Sequence, residues 1–174
     1  MLHQCGYVHN DLKLENILIG NHDPETIYLI DFGLSKSYID KKGNHKEKKF
    51  TSKFSGNFMF ASLNSCRGNN KSRRDDIQSL MYIMVYLLKD KLPWSKFNTK
   101  YEGQPFETLL KKKQKLKHSQ SLIKMAPAFI RREIRYALSM KFDDEPRYEE
   151  LIKLLKEQIE KSESMKIKII SEEH

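Results

Sequence analysis

Long apolar runs are missing from this chain. The longest, Leu80 to Leu88, is nine residues, far short of the roughly 20 needed to span a bilayer as a helix. Cysteine is scarce as well. Cys5 and Cys66 are the only two, which excludes a disulfide framework, and neither has His or Cys neighbours at zinc-ligand spacing. The first residues, Met1-Leu2-His3-Gln4-Cys5-Gly6, contain no basic stretch leading into an apolar one, so no secretory signal is legible. With so few cysteines, the default expectation is the cytoplasm or the nucleus. There are seven glycines, and nowhere do they form a G-x-G-x-x-G loop. Internal repeats and low-complexity linkers are absent too.

What is present suits one folded domain. The chain has 174 residues, with 39% hydrophobic and 32% charged, an ordinary balance for a globular protein with a real core. The net charge is +9 and the isoelectric point about 9.4. The excess lies in two clusters. One runs from Lys36 to Lys53 and includes Lys41, Lys42, Lys46, Lys48 and Lys49. The other is Lys111-Lys112-Lys113-Gln114-Lys115-Leu116-Lys117. Such clusters attract acidic protein segments, nucleic acid or anionic surfaces, and a simple solvated face is an equal reading for the second. Neither is interleaved with base-stacking aromatics, which argues against nucleic acid.

The chemistry is concentrated in residues 9–33. His9-Asn10-Asp11-Leu12-Lys13-Leu14-Glu15-Asn16 is followed by an apolar stretch and then Asp31-Phe32-Gly33. Asp11 supplies a carboxylate that can orient a hydroxyl nucleophile and accept its proton. Lys13 supplies an ammonium that can neutralise charge on a transferring phosphoryl group. The amide oxygen of Asn16 and the carboxylate of Asp31 are hard oxygen ligands suited to Mg²⁺. Between the two blocks, Ile17-Leu18-Ile19 and Ile27-Tyr28-Leu29-Ile30 flank a polar turn at Gly20 to Pro24. This spacing predicts a hairpin of two short buried strands.

The rest of the chain reads as mainly helical. Residues 34–71 are polar and basic, broken by Gly43, Gly56 and Gly68, and predict a long functional loop. Ser72-Arg73-Arg74-Asp75 fits a capping box. Ile77, Leu80, Met81, Met84, Val85 and Leu88 then keep helical spacing, while Tyr82, Ile83, Tyr86 and Leu87 fill the other side. A helix apolar all round belongs at the centre of a domain; Pro93-Trp94 is its expected end. Three more helices are expected. Pro105 to Lys117 carries Phe106, Leu109, Leu110 and Leu116. Pro127 opens one with Phe129, Ile130, Ile134, Ala137 and Leu138. Pro146 opens the last, with Tyr148, Leu151, Ile152, Leu155 and Ile159. The charged stretch from Ser162 is expected to fray.

His9 to Asn16 with Asp31-Phe32-Gly33 resembles the catalytic-loop and Asp-Phe-Gly pattern of protein kinases. Within that superfamily the chain is similar to the casein kinase 1 family. Ala61-Ser62-Leu63-Asn64 stands where that family has Ala-Ser-Ile-Asn. The run from Ser72-Arg73-Arg74-Asp75-Asp76 to Leu80 resembles its Ser-Arg-Arg-Asp-Asp-Leu-Glu-Ser-Leu. Leu92-Pro93-Trp94 and Phe142-Asp143-Asp144-Glu145-Pro146 match later landmarks. The resemblance implies the C-terminal helical lobe of a protein-kinase-like fold over residues 1–161, with a short β-hairpin carrying the catalytic loop and Asp-Phe-Gly and a charged tail over 162–174. It implies a Ser/Thr kinase using ATP and Mg²⁺ on protein substrates, acidic ones given the charge. Asp11 would be the catalytic base and Lys13 a γ-phosphate contact. Asn16 and Asp31 would be the metal ligands. Phe32 would pack beneath His9, and Asp76 would hold the catalytic loop.

The chain departs from the family in four places. Asn10 replaces an Arg that in many kinases pairs with a phosphorylated loop. Gly56-Asn57-Phe58-Met59-Phe60 stands for Gly-Thr-Ala-Arg-Tyr, so Met59 replaces an anion-binding Arg, with Lys53, Arg73 and Arg74 as candidates to compensate. Lys141 stands for an Arg. The largest departure is that only eight residues precede His9, whereas the family's glycine-rich loop and strand Lys lie upstream of it. The expectation is a C-lobe fragment, inactive alone, that implies an N-lobe elsewhere. The alternative is a non-catalytic kinase remnant that binds partners.

Overall fold

A computed structural model describes residues 2–50, 54–95, 106–118 and 120–172. Four short strands come first: β1 (Tyr7–Val8), β2 (Ile17–Ile19), β3 (Ile27–Leu29) and β4 (Lys36–Ser37). Among the described residues six α-helices follow: α1 (Leu63–Cys66), α2 (Arg73–Lys89), α3 (Phe106–His118), α4 (Ser121–Met125), α5 (Arg131–Ser139) and α6 (Tyr148–Glu172). The strands form two separate antiparallel ribbons, β1 with β4 and β2 with β3. In the second, Ile17 faces Leu29, Leu18 faces Tyr28 and Ile19 faces Ile27.

The centre is α2. Its start carries the carboxylate half of a capping box: the Ser72 N–H donates to Asp75 Oδ2 at 2.9 Å. Asp75 and Asp76 also suit the positive end of the helix dipole. Ile77, Met81, Tyr82, Ile83 and Val85 are buried with Trp94, Leu122, Ile130, Ile134, Ala137 and Leu151 in one core. Gln78 joins α2 to α5 through the Ala137 carbonyl, at 2.8 Å. The helix stops sooner than Pro93-Trp94. Asp90 takes a left-handed φ of 54°, and its N–H closes on the Tyr86 carbonyl at 2.7 Å. The last turn leaves the core, with Leu87 and Leu88 exposed.

Other expectations are corrected by tertiary context. The β2–β3 hairpin forms, but it is not buried: Ile19 is 71% and Ile27 66% exposed, and Leu18 and Tyr28 are about half exposed. Only Ile17 is tied in, packed against the core. The stretch 34–71 is not one loop. It contains β4, α1, and bridges between Ile39 and His45 and between Phe50 and Asn69. Helix α4 has no counterpart in the periodicity, being only five residues long. Pro127 starts a 3₁₀ turn, Ala128–Ile130, ahead of α5. Helix α6 spans Tyr148–Glu172, across the expected start of the tail at Ser162, and its Ile152 and Ile159 are exposed instead of joining the core. Among the described residues, no helix is long and apolar enough to cross a membrane. Pro105 lies outside the described residues.

Two measurements follow from this packing. The exposed hairpin should drive self-association, because exposed apolar patches recruit partners. Ile19→Thr with Ile27→Thr keeps β-propensity while removing the apolar face. This double variant should shift light scattering toward monomer and change stability by only about 0.5 kcal/mol; unchanged association would assign the stickiness elsewhere. Cysteine reactivity should split in the same way. Cys5 is exposed and Cys66 buried. Burial pushes the Cys66 thiol above its usual 9.0, with Lys113 and Lys71 opposing and Asp75 reinforcing. At pH 8 the Cys66 thiolate is therefore scarce as well as shielded. A thiol reagent should label one cysteine per native chain and both in denaturant.

Candidate active site

The catalytic-loop residues sit between β1 and β2 and are held mainly by backbone contacts. His9 is buried. Its Nδ1 accepts the Asp11 N–H at 3.3 Å, so its Nε2 must carry the proton donated to the Ile30 carbonyl at 3.1 Å. That second bond ties the loop to the end of the hairpin. Phe32 meets the His9 ring edge-on, with centroids 5.3 Å apart, and is otherwise half exposed.

Asp11 is buried, with its two oxygens differently occupied. Oδ1 accepts the Asn57 N–H at 2.9 Å. Oδ2 lies 3.1 Å from Lys13 Nζ. Asn16, also buried, donates its amide to the Asp11 carbonyl at 2.9 Å and lies 3.5 Å from Oδ2. Its Nδ2 is thereby committed inward, which leaves Oδ1 as the free ligand atom. The hydrogen bond and charge of Asp11 hold Lys13 above 10.5, helped by Glu15 and Asp31. Asp31 is exposed and left-handed, with φ 60°. Its Oδ1 accepts the Gly33 N–H at 3.2 Å, an Asx-type turn that makes this backbone tolerable. Lys13 and Asn16 thus meet at Asp11, and the charge of Asp31 reaches Lys13.

Asp76 is the support beneath them. Oδ2 accepts the His9 N–H at 2.7 Å and Oδ1 accepts the Asn10 N–H at 3.0 Å. Its other neighbour is His3, whose Nε2 lies 3.0 Å from Oδ2 while Nδ1 lies 2.7 Å from the Tyr148 hydroxyl. Next to it, Asp75 is fully enclosed. Burial pushes its carboxyl upward, opposed by the Ser62 hydroxyl and Arg74.

The segment that faces Asp11 runs from Phe54 to Ser62. Lys113 is fully buried beneath it. Its ammonium donates to the carbonyls of Phe58 at 2.6 Å, Ala61 at 2.7 Å and Met59 at 3.3 Å. It also lies 4.7–5.4 Å from the ring centroids of Phe58, Trp94 and Tyr82. Trp94 Nε1 adds a bond to the Met59 carbonyl at 2.7 Å. The solvated-face reading of the 111–117 cluster is therefore wrong at Lys113, which leaves solvent for carbonyls and aromatic faces. The Met59 side chain packs against the core, with its sulfur 3.7 Å from Ser95 Oγ. Both arginines offered as substitutes at that position lie against other residues. Arg73 bonds the Asp143 carbonyl at 3.2 Å over the Tyr38 ring. Arg74 is buried over the Phe142 ring. Lys53 lies outside the described residues.

This geometry has relatives. The protein kinase domain family matches residues 1–169. The chain belongs to that family. Among kinases it resembles the casein kinase 1 family: it is 34% identical over 97% of its length to the casein kinase 1-like protein HD16 of Oryza sativa subsp. japonica, and spans 24% of that relative.

In kinase terms, of the residues singled out from the pattern, Lys13 and Asn16 contact Asp11, Asp31 acts on Lys13 through its charge, and Asp76 reaches the loop. His3, Asn57, Lys71, Lys113 and Trp94 were not foreseen as site supports. No local signal marks a buried lysine inside a basic run, or a His that pairs with a carboxylate 73 positions away. Asp76 gives the sharpest test. Asp76→Ala leaves two backbone N–H groups without their acceptor, each costing about 1–3 kcal/mol where buried. Urea unfolding should show a loss of about 3 kcal/mol. A loss under about 1 kcal/mol would mean that water or His3 replaces the carboxylate.

Proposed function

We propose that this domain is the catalytic and metal-holding part of a Ser/Thr protein kinase of casein kinase 1 type, which moves the ATP γ-phosphate to a hydroxyl on an acidic protein segment. Asp11 orients the substrate hydroxyl and accepts its proton. The observation that carries this reading is the split environment of that carboxylate: Oδ1 is fixed by the Asn57 N–H and Oδ2 pairs with Lys13 at 3.1 Å. A base aimed by one bond and paired with a cation that can shift to the phosphoryl oxygens is what phosphoryl transfer asks of a protein. Lys13 contacts the γ-phosphate.

Asn16 and Asp31 hold Mg²⁺. Their donors fit the ion: one carboxylate and one amide oxygen leave room for the water and phosphate oxygens that Mg²⁺ prefers to keep. Among the described residues, no cluster of three or more His, Cys, Asp or Glu could form a metal cage by itself. When bound, the metal neutralises charge on the phosphates. The protein's part is to orient the hydroxyl, take its proton at Asp11 and hold Lys13 in place. Net charge of +9 and the lysines from Lys36 to Lys49 favour acidic substrates through long-range attraction. With Met59 turned to the core, that attraction is general rather than aimed at one phosphate.

A second reading is a partner-binding module without activity, and the exposed β2–β3 hairpin favours it. One experiment separates them. The 174-residue chain, which contains no G-x-G-x-x-G, should not transfer phosphate from Mg²⁺-ATP to casein or an acidic peptide. Joined to a casein kinase 1 N-lobe, it should become active, and Asp11→Asn should then lower kcat by about 10²–10⁴-fold. A folded chimera with no activity, or one indifferent to Asp11→Asn, would favour the second reading.

A further inference from the structure

Lys71 lies two residues before α2, next to its N-cap Ser72, yet its side chain turns back onto the backbone. Its ammonium donates to the Asn10 carbonyl at 2.6 Å and to the Ser55 carbonyl at 3.1 Å. One carbonyl belongs to the catalytic loop and the other to the segment that supplies Asn57. Between them lies Gly56, at φ 103°, so close that an added Cβ would come within 3.0 Å of Asp11 Oδ1 and 3.3 Å of the Asn10 carbonyl. The two strips of backbone therefore touch at the catalytic carboxylate, and Lys71 bridges them.

Asn10 shows why such a bridge is needed. It is a non-glycine residue at φ 70°, a conformation that persists when its surroundings over-determine it. Its N–H is bound by Asp76 at 3.0 Å, its side-chain amide by the Leu34 carbonyl at 2.8 Å, and its carbonyl by Lys71. The start of α2 thus grips Asn10 from both ends, with an anion on the N–H and a cation on the C=O.

We propose that Lys71 is a positioning residue: it clamps the Ser55–Asn57 segment onto the catalytic loop, so that the Asn57 N–H stays on Asp11 without any modification of the chain. Neighbouring groups agree with an enclosed cation. Burial depresses the Lys71 pKa below 10.5, while Asp76, Asp75, Asp11 and Cys66 act in the opposite direction. The clamp itself is a matter of geometry, and only its catalytic consequence rests on the kinase reading above.

The test is site-resolved amide hydrogen exchange on the 174-residue chain. Lys71→Met should speed exchange of the Asn57 amide at least tenfold while Ile83 and Val85, in the α2 core, stay within twofold. Lys71→Arg, which can still span two carbonyls, should restore protection to within threefold. Should Lys71→Met fail to fold, Lys71→Gln carries the same expectation, being a neutral donor too short to reach both. Unchanged Asn57 exchange, or a rise shared equally by Ile83 and Val85, would overturn the clamp. In the active chimera, Lys71→Met should lower kcat at least tenfold with the KM for ATP within twofold, and Lys71→Arg should rescue it. An inactive parent chimera with Asn57 still protected by Lys71 would overturn the kinase reading and leave the clamp standing.

Discussion

Two backbone N–H groups, on His9 and Asn10, converge on the carboxylate of Asp76, and the arrangement of the site follows from that meeting. Asp76 is immobile because it belongs to the first turn of α2, the helix with the most buried surroundings. Whatever hangs from it inherits that rigidity. The catalytic loop hangs from it directly. The hairpin and Asp31 follow through the His9 bond to Ile30, and the C-terminal helix joins through His3 and Tyr148. A buried acceptor with several backbone donors is a low-dielectric contact, and losing it is expensive because the donors have no water to turn to.

The basic character of the chain is used in two distinct ways. Most lysines are solvated and set a long-range field. Lys71 and Lys113 do something different: each ends under a stretch of irregular backbone and satisfies carbonyls that no helix or strand pairs. Residues 54–62 have no ladder of their own, so their polar groups need other partners. Lys113 and Trp94 hold one end of that segment and Lys71 the other, with Asn57 on Asp11 between them. The loop facing Asp11 is thus tied at both ends although it lacks regular structure.

Much of the fold could be read from local pattern. Helix α2 follows from its cap and all-round apolar spacing, and the hairpin from two apolar runs around a polar turn. The meeting of Lys13 and Asn16 at Asp11 follows from residue types in a recognisable order. These succeed because each signal lies within a few residues, where cap chemistry and side-chain periodicity operate. What failed was burial along these elements, and element type in the stretch 34–71 and at the short helix α4. Ile19, Ile27, Leu87, Ile152 and Ile159 are apolar at the right spacing and yet exposed, because periodicity reports which face could be buried and not whether anything covers it.

By itself, then, the sequence determined which residue types stand in one short region, two carboxylates, a cation and an amide, and the buried helix that anchors them. Tertiary structure alone decided which side chains became supports. His3 and Asp76 are 73 positions apart, Lys113 and Phe58 are 55, and Lys71 and Asn10 are 61. Pairings at that range depend on how helices and loops are brought together, because a lysine in a basic run looks the same locally whether it meets water or a buried carbonyl.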